Sequence, residues 1–178
     1  MKELLAEAPL EFTAAAAQKN VVLEVPMQDG TIVRFRIEES PMLAPAIAAQ
    51  FPTWKTFSGQ GVEDSTMTAR FDINANGFHG YVMTANGTFL IDPYSLTDRK
   101  NYIVYYKGNL TEGNAGFSCN VKENKEKGIE FFSSFAPGAF SNGSRLRNFR
   151  LAVTATKEYT NFFGGTPANA LAAIQTTV

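Results

Sequence analysis

A chain of 178 residues is long enough to bury the core of one domain, and its 44% hydrophobic content is typical of a folded globular protein. Sixteen Lys and Arg against seventeen Asp and Glu give a net charge of −1, which argues against a nucleic-acid-binding or anionic-membrane-binding surface. The single cysteine excludes an internal disulfide, and the sequence has no run of eighteen apolar residues that could form a spanning helix.

The N-terminal residues 1–17 predict a short helix or a loose arm that Pro9 interrupts. Glu3 and Glu7 break any apolar stretch in this segment, so it does not have the pattern of a signal peptide.

Alternating apolar and polar residues predict a series of β-strands between residues 21 and 106. Within residues 31–38, for example, Val33, Phe35 and Ile37 share one face of a strand. Turn formers such as Asp29-Gly30 separate the segments. The predicted strands are residues 21–25, 31–38, 54–57, 66–73, 78–83, 88–91 and 102–106, with a short amphipathic helix over residues 42–51. This pattern predicts an α+β fold: a β-rich antiparallel sheet or sandwich-like module with one short helix.

The composition and the hydrophobic periodicity of the chain change after residue 107. Residues 108–145 show no hydrophobic periodicity and are rich in Gly, Asn and mixed charge, which is typical of a linker. Residues 146–156 alternate in part and predict a strand. Thr166-Pro167 has the form of a helix N-cap followed by a first-turn proline and predicts a helix over residues 168–178. The predicted organisation is a domain at 1–107, a linker at 108–145 and a separate β-α segment at 146–178.

The chain resembles the N-terminal pro-domain of secreted bacterial reprolysin-like zinc metallopeptidases in three ordered stretches: RFRIEESPMLAP (34–45), FPTWKTFSGQG (51–61) and GFHGYVMTANGTFLIDPY (77–94). Its tail, RLRNFRLAVTATKEYTNFFGGTPANALAAIQTTV (145–178), is similar to the first strand and first helix of the catalytic domain in that family. The resemblance implies that residues 1–107 are a pro-domain that inhibits the peptidase or templates its folding. It also implies that residues 146–178 are the truncated start of the catalytic domain.

The zinc site of such enzymes is a His-Glu-x-x-His helix, in which two histidines one turn apart bind the metal and the Glu acts as base. This sequence has one histidine, so no zinc ligand or catalytic residue is carried over. The resemblance therefore implies no cofactor in this chain, zinc in the parent protease, and a metallopeptidase catalytic domain in cis as the partner. It further implies a secreted or cell-surface precursor within which this chain begins. A stand-alone cytoplasmic protein is the alternative.

Cys119 is the sharpest candidate for a functional residue. In several metallopeptidase families a pro-region cysteine ligates the catalytic zinc and takes the position that the hydrolytic water needs. The alternative is that Cys119 fills a small apolar space or is an unreactive thiol on the surface. Arg145 and Arg147, where the linker meets the tail, are a candidate region for maturation cleavage. They are equally compatible with the solvated end of a strand.

The other polar residues that could form a functional site are predicted to have structural roles. His79 is predicted to be a surface or hydrogen-bonded strand histidine, and Asp92 and Asp98 are predicted to be turn residues rather than calcium ligands. One His and one Cys in unrelated segments do not supply a nucleophile, a base and an orienting group, which argues against an independent hydrolase. The alternative to a pro-domain is a β-rich cell-surface or adhesion module with no protease-related role.

Overall fold

Short helices flank a β-sheet in the computed structural model, which describes residues 1–95, 97–110 and 150–178. The strands are β1 (Val21–Pro26), β2 (Ile32–Glu39), β3 (Lys55–Gly61), β4 (Thr68–Asn74), β5 (Gly77–Thr84), β6 (Gly87–Pro93) and β7 (Tyr102–Tyr106). The helices are α1 (Lys2–Ala6), α2 (Ala14–Gln18), α3 (Pro45–Ala48), α4 (Lys157–Phe162) and α5 (Pro167–Thr177), and a single 3-10 turn, Lys107–Asn109, follows β7.

The seven strands form one curled antiparallel sheet in which each strand pairs with its neighbours in sequence, in the order β1 to β7. Glycines with positive φ, at Gly30 (83°), Gly77 (125°) and Gly87 (126°), lie at the β1–β2, β4–β5 and β5–β6 turns. Because a hairpin turn fixes the register of the strands beside it, the β4–β5 turn places Asp72 directly opposite His79.

One face of the sheet carries the hydrophobic core, with Phe71 at its centre. The ring of Phe71 lies 5.8 Å from that of Phe35 in edge-to-face geometry and 5.6 Å from that of Phe78, on which it stacks. Two glycines make room for it: a Cβ added at Gly59 would stand 2.9 Å from the Phe71 ring, and one at Gly80 would stand 3.1 Å from it. The other buried hydrophobic residues of β1 to β6 are Val21, Leu23, Val25, Ile37, Phe57, Ala69, Val82 and Ile91.

The N-terminal residues are partly helical and are attached to the sheet. The N–H of Glu39 donates to the carbonyl of Pro9 over 2.7 Å, and the N–H of Glu11 donates to the carbonyl of Glu39 over 2.9 Å. Leu5 of α1, 3% exposed, joins the core. Of the two forms predicted for residues 1–17, the structure therefore shows the helical one.

The helix predicted over residues 42–51 is shorter than expected, since α3 covers only Pro45–Ala48. Pro45 occupies its first turn, but no residue of α3 is buried, and Ile47 is 37% exposed. A short helix derives most of its stability from packing an apolar face, and without that packing it does not extend.

The strand predicted over residues 146–156 is wrong for the part that the structure describes, because residues 150–156 form no strand. Leu151 is 70% exposed and Val153 is 50% exposed. Alternation alone does not make a strand when no neighbouring strand pairs with its backbone. Residues 146–149 lie outside the described ranges, and the assignment of residues 146–178 to the start of a catalytic domain stays a prediction.

The predicted fold class, α+β with a β-rich antiparallel sheet, is confirmed, and the described strands form a single sheet. The prediction of one short helix in this module is wrong, because α1, α2 and α3 all lie within residues 1–107. None of the helices in the described ranges is both long enough and apolar enough to cross a membrane.

Helix α5 begins as the sequence predicts, but most of its buried residues are not the predicted ones. The Oγ1 of Thr166 accepts a hydrogen bond from the N–H of Asn169 over 3.2 Å, and Pro167 lies in the first turn. The helical spacing of Ala170, Leu171, Ile174 and Val178 predicts the packing face, but of these only Ala170 is buried, Leu171 and Ile174 are partly buried, and Val178 is exposed. The buried residues of α5 are Ala170, Ala172, Ala173 and Gln175. Alanine allows the helix backbone to approach polar groups of the sheet closely, as the contacts of the site below show.

Candidate functional site

A row of polar side chains crosses β4, β5 and β6 on the face of the sheet opposite the core. Asp72 and His79 follow the core residues Phe71 and Phe78, and successive strand residues point to opposite faces. The Nδ1 of His79 lies 2.7 Å from Oδ1 of Asp92 on the next strand. A carboxylate only accepts, so Nδ1 carries the hydrogen and donates it.

Asp92 is held as a carboxylate by two donors. The hydroxyl of Tyr105 donates to its Oδ2 over 2.5 Å, while His79 donates to Oδ1. Burial alone would raise the pKa of Asp92, but the hydrogen bonds from His79 and Tyr105 and the charge of His79 outweigh it, so this pKa lies below its ordinary value. Burial, with the adjacent Asp92 carboxylate, raises the pKa of the Tyr105 phenol, which therefore remains a donor.

Asp72 has the opposite electrostatic setting. It is 7% exposed, and its Oδ2 accepts hydrogen bonds from Asn74 Nδ2 at 2.7 Å and Thr176 Oγ1 at 3.1 Å. Burial raises its pKa to about 6, although the charge of His79 and the Thr176 hydrogen bond act against the increase. The Asp92 carboxylate adds to the increase. The pKa values of the two carboxyl groups in this row are therefore shifted in opposite directions: that of Asp92 is lowered and that of Asp72 is raised.

The row can hold and exchange protons. When the imidazole of His79 is neutral with its hydrogen on Nδ1, its Nε2 is an acceptor, and this atom is buried with no hydrogen-bond partner among the described residues. Asp92 thus fixes the orientation of the His79 imidazole, in the same way that a buried carboxylate fixes a histidine that acts as a general base. A cavity of about 420 Å³ borders the row and is also lined by Ser95, Phe163 and Thr176. Within the described ranges, no group of three or more His, Cys, Asp and Glu side chains is arranged to bind a metal ion.

The residues that the sequence singled out are mostly elsewhere. Cys119, Arg145 and Arg147 lie outside the described residues, so their predicted roles stay predictions. His79 is a hydrogen-bonded strand histidine, which confirms that prediction. The turn role predicted for Asp98 is also confirmed, because Oδ1 accepts the N–H groups of Lys100 and Asn101.

The turn role predicted for Asp92 is wrong, because Asp92 lies within β6 and bonds to side chains on β5 and β7. Sequence reasoning also missed Asp72, which alternation placed on a solvated face. The turn at residues 74–77 was a usable signal, since a tight hairpin there aligns Asp72 with His79. No local signal showed that α5 covers Asp72, because its contact partner Thr176 is 104 residues away.

No protein family model, no curated protein and no solved structure matches this chain.

Proposed function

We propose that residues 1–107 are the pro-domain of a secreted or cell-surface zinc metallopeptidase precursor. In this proposal the sheet binds the start of the catalytic domain, residues 146–178, and inhibits the enzyme or guides its folding. The observation that carries the proposal is the contact between α5 and β4. A pro-domain that inhibits or templates must hold part of its enzyme, and α5 belongs to the segment that resembles the enzyme.

The contact is specific but small. Asn74 Nδ2 donates one hydrogen to Asp72 and shares the other between the carbonyl of Ala172 at 3.1 Å and Oγ1 of Thr176 at 3.0 Å. The helix buries alanines against its surroundings, and each buried methyl-sized group contributes only about 0.8 kcal/mol. A contact of this kind fixes the position of the helix and is weak enough to separate after cleavage in the linker.

The stretches that carry the resemblance also build the sheet. Residues 34–45 include most of β2, residues 51–61 include β3, and residues 77–94 include β5 and β6. Their apolar positions, such as Phe35, Phe57 and Val82, are core residues with at most 2% of their surface exposed. The resemblance therefore concerns the residues that determine the fold, which supports a shared scaffold more directly than shared chemistry.

Inhibition in trans tests the proposal. Residues 1–107, added to the cognate mature protease, should slow peptide hydrolysis, because the sheet face at Asn74 is free to take the equivalent helix of the enzyme. Asn74→Ala should weaken inhibition by about tenfold, since it removes the hydrogen bonds to the helix. Asn20→Ala makes the same chemical change at an exposed position between α2 and β1 and should inhibit like the parent fragment.

Unchanged hydrolysis at saturating fragment would contradict the inhibitory role. The part of Cys119 is tested in the whole chain: Cys119→Ser should inhibit less if the thiol meets the zinc. Equal potency would assign Cys119 to packing or to an unreactive surface thiol.

A further inference from the structure

The contact between α5 and the sheet has a buried carboxyl group at its centre. Asp72 of β4 accepts from Thr176 of α5, and the neighbouring Asn74 bonds to Ala172 and Thr176. One further polar contact joins the two elements, from Gln175 Nε2 to the carbonyl of Lys55 at 3.4 Å. With α5 docked, Asp72 is 7% exposed, so water solvates its charge poorly.

The groups that face Asp72 do not compensate this charge fully. His79 lies opposite on β5, Asp92 lies beyond it on β6 with Tyr105 of β7, and α5 contributes the neutral Thr176. In the described part of the chain, no Lys, Arg or His nitrogen is within 4.0 Å of a carboxylate oxygen of Asp72. His79 donates its Nδ1 hydrogen bond to Asp92 instead.

We propose that α5 is a pH-sensitive latch, which stays docked on the sheet while Asp72 is protonated and is released as Asp72 ionises. The charged carboxylate is poorly solvated under the docked helix, whereas undocking exposes it to water. The equilibrium between the docked and undocked helix must therefore depend on the protonation of Asp72. The latch is a property of the helix–sheet contact and applies whether or not this chain precedes a peptidase.

The direction of the effect follows from the pKa of Asp72, which is about 6 with the helix docked and near 3.8 when the carboxyl is exposed. Because docking raises this pKa, the protonated acid favours docking. The full preference is present below pH 3.8 and is lost as the pH rises through about 6. The gap between the two values sets an upper limit of roughly a hundredfold on the change in the docking equilibrium.

Hydrogen exchange of the α5 amides in the whole chain, corrected for the intrinsic pH dependence of exchange, tests the latch. From about pH 4.5 to about pH 8, protection of α5 should fall severalfold, to a limit of roughly thirtyfold, while protection in β2 and β3 changes much less. Asp72→Asn keeps an oxygen acceptor and removes the charge, so its α5 protection should stay nearly constant. Asp64→Asn changes an exposed carboxylate that caps the turn at Thr66 and should behave like the parent chain.

Constant protection of α5 in the parent chain, or an equal fall in Asp72→Asn, would overturn the latch. Carboxyl NMR titration of the parent chain gives a second readout that needs no variant. The Asp72 resonance should titrate well above its ordinary value, with a midpoint that matches the loss of α5 protection. A midpoint near pH 3.8 would contradict the inference as well.

Discussion

Replacing Phe71 with alanine is expected to destabilise the fold by about 3–5 kcal/mol, the largest effect of any single change considered. Phe71 is 2% exposed and contacts the rings of Phe35 and Phe78. The two glycines beside the ring have no side chain that could move into the space, so the cavity would persist. Denaturant unfolding followed by circular dichroism measures the loss of free energy.

Phe162→Ala is the matched control for this prediction, because Phe162 is 82% exposed at the end of α4. Removing an exposed ring should change the free energy of unfolding by about 0.5 kcal/mol or less. If the two variants were equally stable, the sheet core would not be centred on Phe71, and the packing described above would be wrong.

Asp92→Asn is expected to destabilise the chain by about 1–3 kcal/mol near neutral pH. The carboxylate accepts from both His79 and Tyr105, whereas an amide offers one oxygen and turns its NH₂ group toward the second donor. Either His79 or Tyr105, both partly buried, would then lose its hydrogen-bond acceptor. Chemical denaturation of the variant and the parent chain over a range of pH measures the difference.

The pH dependence of this difference has a defined sign. The pKa of Asp92 is lowered in the folded chain, so its contribution is present above its ordinary value of 3.8 and is lost as the pH falls through the folded value. The gap between parent and Asp92→Asn should therefore close in acid. Asp72, whose folded pKa is raised, should show the reverse: Asp72→Asn gains stability relative to the parent as the pH rises. A gap for Asp92→Asn that is the same at pH 3 and pH 7 would contradict this assignment.

The sheet could be predicted from the sequence because its signals are local. Alternation placed Phe35 and Phe71 on the buried face, and pairs such as Asp29-Gly30 and Asn86-Gly87 marked the turns that join neighbouring strands. Such a meander needs no information about distant residues. Its strand order therefore follows directly from the order of the strands in the chain.

The site could not be predicted because it depends on distant contacts. Alternation placed Asp72 with the solvated residues of β4, whereas it is 7% exposed and accepts a hydrogen bond from Thr176 of α5. The apolar spacing of Ala170, Leu171, Ile174 and Val178 also identified only Ala170 among the buried residues of α5, which are mostly alanines. A polar contact of this kind leaves little trace in hydrophobic periodicity.

The central claim, that this sheet belongs to the pro-domain of a zinc peptidase, is tested most directly by sequencing the gene beyond the codon for Val178. We predict that the reading frame continues into a helix with the pattern His-Glu-x-x-His, followed by a third histidine after a glycine turn. A stop codon immediately after Val178 in the intact locus would contradict the account.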